Sequence, residues 1–303
     1  TITGSYSSSD QTTVTLTLTG VTANNTSLTI SPDYDDDTGT IIDNAGNEMS
    51  FSETVAGTDK APPAMLSAVT GDSNTDGSVD QIVVTFSEQV DLTNVDNDNF
   101  TLTESAGGNP TIASSGVGNN KYSANDATSI TFNLAGVTAN NTLLTISPDY
   151  NDATGTIIDN AGNEMSFSET VAGTDGAAPV FSSITPTENS SINVVDVGYR
   201  LSETIANGSI TFRRTGGSAD ESSPHAVSLS GSELSSGVRS SAALANAPTL
   251  TSGVTYMLEF NGTDLVGNVG SELTVTGIVF DGAAPTFVKA WQYDTDLDGN
   301  IDE

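Results

Sequence analysis

The chain has 303 residues, with 39 Asp or Glu against 7 Lys or Arg, one His and no Cys, and its formal charge is −32. At about 100 to 200 residues per domain, this length predicts two or three domains. The negative charge disfavours nucleic acid and anionic membranes as partners, and no apolar run is long enough for membrane insertion. Without Cys, disulfides and thiol nucleophiles are excluded, so any metal must be a hard cation held by oxygen.

An internal repeat predicts the domain organisation. Residues 20–59 recur as residues 136–175 with three differences in forty positions. Joints that contain Ala and Pro follow at Pro62, Pro179 and Pro285, and their spacing matches one β-sandwich module. We expect the closing part of a module in 1–59, complete modules in 60–175 and 176–281, and the opening of another in 282–303. The chain therefore reads as a window from a longer repetitive protein.

Apolar residues alternate with polar ones along several segments, as expected for half-buried strands. Taken in chain order, these segments are Val14 to Leu18, Ile82 to Phe86, Ile130 to Leu134 and Val254 to Phe260. Clusters of Gly, Asn, Asp and Ser separate them, and no segment has sustained helical periodicity. The pattern predicts an all-β fold of tandem Ig-like, Greek-key β-sandwich modules arranged end to end.

Two acidic loops share the template D-x-[DN]-x-D-G-x-x-D. Oxygen side chains at loop positions one, three, five and nine can converge on one Ca²⁺ ion, position seven offers its carbonyl oxygen, and the Gly allows the sharp turn. Mg²⁺ fits less well because it demands octahedral geometry. The alternative interpretation is a solvated Asp-Gly turn. The predicted ligands are Asp72, Asn74, Asp76, Ser78 and Asp80 in the first loop and Asp294, Asp296, Asp298, Asn300 and Asp302 in the second.

Glu88 is the candidate for completing the shell of the first loop, because five ligands fall short of the six to eight that calcium prefers. The module 176–281 should lack the loop site, since Thr187 and Val195 stand where Asp72 and Asp80 stood. It nevertheless keeps Glu203 at the position of Glu88. The glutamate can therefore serve the joint instead of the loop.

A second acidic set lies near the module ends. It comprises Asp43, Asn44, Asn47 and Glu48, their counterparts Asp159, Asn160, Asn163 and Glu164, and Asp264 and Asn268 in the next module. Asp59, Asp175 and Asp281 each precede a joint. An acidic strand end before a Pro-containing boundary slightly resembles the cadherin linker, where calcium rigidifies the join. A turn capped by Asp explains the same residues, and both interpretations stay open.

Catalysis is not expected from these residues. Paired carboxylates could serve a glycosidase, but these lie in hydrated, Gly-rich turns that would not raise the pKa of an acid. His225 has no Cys or second His to work with, so a surface or strand-edge histidine is the favoured interpretation over a Ser-His-Asp grouping. Trp291 and Tyr293 are expected on a strand in the core, with sugar stacking by an exposed pair as the alternative.

Several motifs together resemble the bacterial Ig-like repeats of large secreted surface proteins such as adhesins and S-layer proteins. These motifs are the Ala-Pro joints, VTFSEQVD, IIDNAGNEM and YMLEFNGTDLVGN, and the acidic loops are similar to dockerin and thrombospondin calcium loops. The resemblance implies a calcium-stabilised stalk, filament or lattice segment outside the cell. Its partners would be neighbouring modules, copies of itself, surface glycans or other cells. The competing hypothesis is a carbohydrate-binding accessory region of a secreted enzyme.

Overall fold

The computed structural model describes residues 2–3, 12–13, 15–21, 28–31, 41–47, 49, 54–91, 100–105, 107–113, 127–137, 144–148, 157–166 and 170–302. These residues form nineteen strands, one short 3₁₀ turn and no α-helix. The all-β prediction is therefore confirmed. None of the described segments is a helix long and apolar enough to cross a bilayer. The chain divides into two compact units, residues 1–74 with 78–177, and residues 75–77 with 178–303.

The strands of the first unit are β1 (Ile2–Thr3), β2 (Thr17–Leu18), β3 (Thr29–Ile30), β4 (Val55–Ala56), β5 (Met65–Gly71), β6 (Gln81–Val90), β7 (Phe100–Glu104), β8 (Thr111–Ile112), β9 (Ala127–Ala135), β10 (Leu144–Pro148) and β11 (Val171–Thr174). Seven of them are hydrogen-bonded in the order β7-β10-β11-β5-β6-β9-β8. The pairing of β11 with β5 is parallel, whereas the other pairings are antiparallel. Two short ribbons, β1-β2 and β3-β4, complete the described strands of this unit.

The core of the first unit follows from the alternation along β6. Ile82 and Val84 are fully buried and pair in register with Phe132 and Ile130 of β9. The Phe132 ring meets Phe100 of β7 edge to face, with ring centroids 4.9 Å apart. Because alternate side chains share one face of a strand, the period of two read from the sequence identifies the buried positions here correctly.

The strands of the second unit are β12 (Phe181–Thr185), β13 (Ser191–Ile192), β14 (Asp196–Leu201), β15 (Ile205–Gly217), β16 (His225–Ser228), β17 (Gly237–Ala243), β18 (Val254–Asp264) and β19 (Leu273–Phe280), with the 3₁₀ turn at Gly231–Leu234. They form a three-stranded sheet, β12-β14-β17, and a five-stranded sheet, β13-β19-β18-β15-β16. Tyr199 and Leu201 of the smaller sheet share one buried cluster with Phe212 and Phe260 of the larger. The unit is a β-sandwich.

A buried polar network joins Tyr199 and Glu233 within this sandwich. The Tyr199 hydroxyl donates a hydrogen bond to the backbone oxygen of Glu233 over 2.7 Å. The Glu233 carboxylate in turn accepts from the backbone nitrogens of Ser230 and Ala245 at 2.9 and 2.8 Å. Burial raises the pKa of Tyr199 to about 12, with a smaller opposing effect from Arg239. A buried carboxylate in this unit thus has its hydrogen-bonding capacity met, as low-dielectric burial requires.

The prediction that Trp291 and Tyr293 belong to the core is wrong. Their side chains are 63% and 56% exposed, and the segment 281–302 contains no strand. Phe287, which stands at the sequence position of the buried Met65, is also fully exposed. The physical reason is that no described strand pairs with this segment. The Trp291 ring instead packs under the Lys289 ammonium, whose nitrogen lies 3.5 Å from the ring centroid.

Candidate metal centre

The two acidic loops adopt the same turn. The loop position-four residues, Thr75 and Leu297, have positive φ values of 58° and 62°, and the position-six glycines, Gly77 and Gly299, have values of 86° and 88°. A β-branched or bulky residue in the left-handed region is uncommon, so its recurrence indicates that the template specifies the turn.

The last aspartate of each loop holds the turn closed. Asp80 accepts hydrogen bonds from the backbone nitrogen and the hydroxyl of Ser73 at 2.7 and 2.6 Å. Asp302 accepts the equivalent bonds from Thr295 at 2.9 and 2.8 Å. The side-chain bond from Thr295 is the main cause of the lowered pKa of Asp302. These two ligand candidates therefore also have a role within the turn.

The second loop brings three of its five predicted ligands together. Asp294, Asp296 and Asp302 each place one carboxylate oxygen within 4.8 Å of the others. The pKa of Asp298 is lowered, chiefly by its side-chain hydrogen bond with Asn300. In the first loop, Asp80 is held by its hydrogen bond from Ser73. The other four candidates differ in exposure: Asn74 and Asp76 are exposed, and Asp72 and Ser78 are half-buried. The arrangement suits a hard cation bound by oxygen.

Glu88 lies away from the first loop, which corrects its assignment as a ligand there. It stands eight positions after Asp80 along an extended strand, a distance of roughly 26 Å at about 3.3 Å per residue. Its carboxylate instead lies with Asp59 and Asp159, one oxygen of each being within 4.8 Å of the others. The structure therefore favours the joint, the other role that the sequence left open for this residue.

The turn capped by Asp is present in all three copies of the second acidic set. Asp159 accepts from the backbone nitrogens of Ala161 and Asn163, both at 2.8 Å, and from the Asn163 amide at 2.7 Å. Asp43 and Asp264 accept the corresponding bonds in their own turns. The side-chain bond from Asn47 is the main cause of the lowered pKa of Asp43. Glu48 lies outside the described residues.

Backbone pairing brings the joint and this turn to the end of β6. Ser87 exchanges hydrogen bonds with Ala64 of the joint, its nitrogen donating to the Ala64 oxygen and its hydroxyl accepting from the Ala64 nitrogen. On the other side, Val90 forms a β-bridge with Asp159. Glu88 lies between Ser87 and Val90 and is thereby held beside both the joint and the turn. The sequence signal for this cluster was the Ser-Glu pair repeated at 202–203, but the pairing partners were not predictable.

His225 belongs to a local polar contact and not to a catalytic grouping with serine. Its Nε2 lies 2.8 Å from Oδ2 of Asp220, which also accepts a 2.6 Å hydrogen bond from the Tyr256 hydroxyl. The hydroxyl of Ser223 accepts a bond from the backbone nitrogen of Arg214. The hydrogen bonds with Tyr256 and His225 lower the pKa of Asp220, with the Tyr256 bond as the largest cause. They support the interpretation of His225 as a strand-edge residue.

Residues 59–172 match the family model of the bacterial Ig-like domain, a non-catalytic module type. The resemblance predicted from the sequence is confirmed over this segment. No curated protein matches the chain. Two solved structures are similar at low identity: the N-terminal part of the bacterial S-layer protein SbsC (14% identity, 72% of this chain and 44% of that one, TM-score 0.26), and dimeric latent PorU from Porphyromonas gingivalis (15%, 74% and 21%, TM-score 0.23). The aligned regions cover less than half of either protein.

Proposed function

With a bacterial Ig-like domain over residues 59–172 as the premise, we propose that this chain is a calcium-stabilised structural and adhesive repeat region of an extracellular surface protein. It acts as a stalk, filament or lattice segment, and its modules contact neighbouring modules or other copies. Glycans and other cells are further candidate partners. It has no catalytic role.

The observation that carries the calcium part of the proposal is the convergence of Asp294, Asp296 and Asp302 within an already formed turn. Their oxygens lie within 4.8 Å of one another. Oxygens bound to one Ca²⁺ at about 2.4 Å lie no more than about 4.8 Å apart. The first loop shares the positive-φ positions and the closing aspartate of this turn. The shared turn supports a second site in the first loop, although Asp72, Asp76 and Asp80 do not form such a group of converging oxygens among the described residues.

The net charge supports an extracellular location. A formal charge of −32 opposes compaction, and each bound Ca²⁺ removes two negative charges. Extracellular calcium modules bind at about 10⁻⁴ to 10⁻³ M, so they are loaded outside cells and empty in the cytosol. Calcium would then stabilise the modules only after export.

The test is calcium stoichiometry of the full chain by equilibrium dialysis, compared with Asp76→Asn and Asp298→Asn. Both changes fall at loop position five, which avoids Asp80 and Asp302 because those residues hold the turns. Each variant should bind about one ion fewer than the parent chain. Glu221→Gln, a change of an exposed carboxylate in the second unit, is the matched control and should leave the count unchanged. Equal counts in all four chains would reject calcium binding by the loops.

Carbohydrate binding is the second candidate, and the exposure of Trp291 and Tyr293 is the observation that favours it. Exposed aromatic rings can stack on sugar faces. Lys289 already covers one face of Trp291, which leaves the other face for a ligand. Binding on a glycan array that is lost in Trp291→Ala would support this function over a purely structural one. No binding by the parent chain would remove it.

A further inference from the structure

Glu88 is a carboxylate on the apolar face of a core strand. Along β6 the inward positions are Ile82, Val84, Phe86, Glu88 and Val90, and all five are at most 4% exposed. Placing a carboxylate in such a row is unfavourable unless a hydrogen-bond donor or a cation compensates for its lost hydration. The position therefore requires an explanation that strand packing does not provide.

Three other buried carboxylates of the described residues have such compensation. Glu233 accepts two backbone hydrogen bonds, Glu259 pairs with Arg213 at 2.7 Å, and Asp264 caps its turn. Glu88 differs from these three. Burial and the negative charges of Asp59 and Asp159 raise the pKa of Glu88, and no hydrogen bond lowers it. Within the described part of the chain, its carboxylate contacts no donor and no cation.

The unpartnered carboxylate points into a cavity of about 250 Å³. Asp59, Glu88 and Asp159 line it, together with the polar side chains of Gln89, Thr128 and Asn160. A water molecule occupies about 30 Å³ in the liquid, so the space accommodates an ion with several waters. The cavity thus offers oxygen ligands and room for a hydrated cation.

Two of the three carboxylates are held in place before any ion arrives. Asp159 is fixed by three hydrogen bonds from its own turn, and Asp59 accepts a 2.9 Å bond from the backbone nitrogen of Ala61. The turn also reaches the joint, since the Asn163 amide donates to the Ala61 oxygen over 3.4 Å. Such outer contacts are the kind that orient metal ligands.

We propose that Asp59, Glu88 and Asp159 bind a Ca²⁺ ion at a site separate from both acidic loops. Three carboxylates with one oxygen each inside 4.8 Å, in an oxygen-lined cavity, form a ligand set for a hard divalent ion. Waters and neighbouring polar oxygens complete the coordination shell. The inference rests on the proposed function only for the choice of calcium among hard cations.

The ion would tie three separate segments together. Asp59 precedes the joint, Glu88 lies near the end of β6, and Asp159 opens the turn 159–163. Binding therefore anchors the joint to the body of the first unit. The second unit has a buried glutamate and a buried capping aspartate at the corresponding positions, Glu203 and Asp264, with 8% and 1% exposure.

The experiment compares the full chain with Glu88→Gln, in a background where Asp76→Asn and Asp298→Asn disable the loops. Calcium binding is measured by equilibrium dialysis, and unfolding is measured both in chelator and in millimolar Ca²⁺. We expect Glu88→Gln to bind one ion fewer. In chelator, we also expect its unfolding midpoint to lie above that of its parent, because the neutral amide removes the repulsion from Asp59 and Asp159. In calcium, its midpoint should lie below that of its parent, because the amide also removes a ligand.

An unchanged calcium count with the same midpoint difference in both solutions would overturn the site and would mean that Glu88 holds a proton instead. If Glu88→Gln fails to fold, Asp59→Asn at the half-exposed edge of the cavity tests the same site, and an unchanged count there overturns it equally. The experiment also distinguishes this outcome from an absence of calcium binding by the acidic loops. If the loops bind no calcium, the unmodified chain and the chain with both loop substitutions should bind the same number of ions.

Discussion

The Glu88 cluster makes the stability of the cation-free protein depend on pH. Each neighbouring carboxylate, at up to 4.8 Å, repels an ionised Glu88 by about 3.5 kcal/mol at an effective dielectric constant of about 20. Burial, the larger cause, and this repulsion both raise the pKa of Glu88 above its ordinary value of 4.5. Without a cation, the folded chain should therefore bind a proton at Glu88 more readily than the unfolded chain does.

The sign of the pH dependence follows from the direction of the shift. Burial, and then the charges of Asp59 and Asp159, raise the pKa of Glu88 in the folded protein above the ordinary value of 4.5. Between those two values the folded chain binds more protons than the unfolded chain. The free energy of unfolding should therefore fall as pH rises through this window, by up to about 1.4 kcal/mol per pH unit.

Urea unfolding in chelator, from about pH 5 to about pH 8, measures this slope in the parent chain and in Glu88→Gln. Taking the difference between the two chains removes the contribution of every titrating group that they share. Carboxylates with a lowered pKa, such as Asp302, change the free energy of unfolding only at more acidic pH. Glu88→Gln should lose the slope and should be more stable than the parent chain at the alkaline end. Parallel pH profiles in the two chains would refute the reasoning.

Three further results are expected. Asp264→Ala should lower the free energy of unfolding of the second unit by about 3 kcal/mol in a denaturation assay, because a buried turn loses its hydrogen-bond acceptor. Asp43→Ala, in the equivalent exposed turn, should have a smaller effect in the same assay. Asp220→Ala should cost about 1 to 3 kcal/mol, since it leaves the buried Tyr256 hydroxyl without its acceptor, and Tyr256→Phe in the same background should restore part of that loss. Trp291, the single tryptophan, should be readily quenched by iodide because its side chain is 63% exposed, and a strongly protected emission would contradict its placement outside the core.

Strand positions were predictable because the sequence alternates where one face of a strand is buried. Ile82, Val84 and Phe86 on β6, and Tyr256 and Leu258 on β18, are buried as the period of two requires. This signal is local and depends only on the geometry of an extended chain. The predicted modules 60–175 and 176–281 rest on the repeat and stay a prediction.

The wrong and corrected assignments depend on contacts that a local pattern cannot specify. Trp291 and Tyr293 have core-like chemistry, but a strand is buried only when partners cover it. Glu88 was close in sequence to the first loop, yet the rise of an extended strand carries it far from Asp80 and beside Asp159. Seventy-one positions of sequence separate Glu88 from Asp159. The bridge from the end of β6 to the turn brings them together.

The central claim is that calcium stabilises the native chain, and the most direct measurement is its free energy of unfolding as a function of calcium concentration. With dissociation constants of about 10⁻⁴ to 10⁻³ M, each site should add about 1.4 to 2.7 kcal/mol in about 10 mM Ca²⁺ relative to chelator. We expect the free energy of unfolding to rise steadily with the logarithm of calcium concentration above those constants. The same unfolding midpoint in chelator and in about 10 mM Ca²⁺ would contradict it.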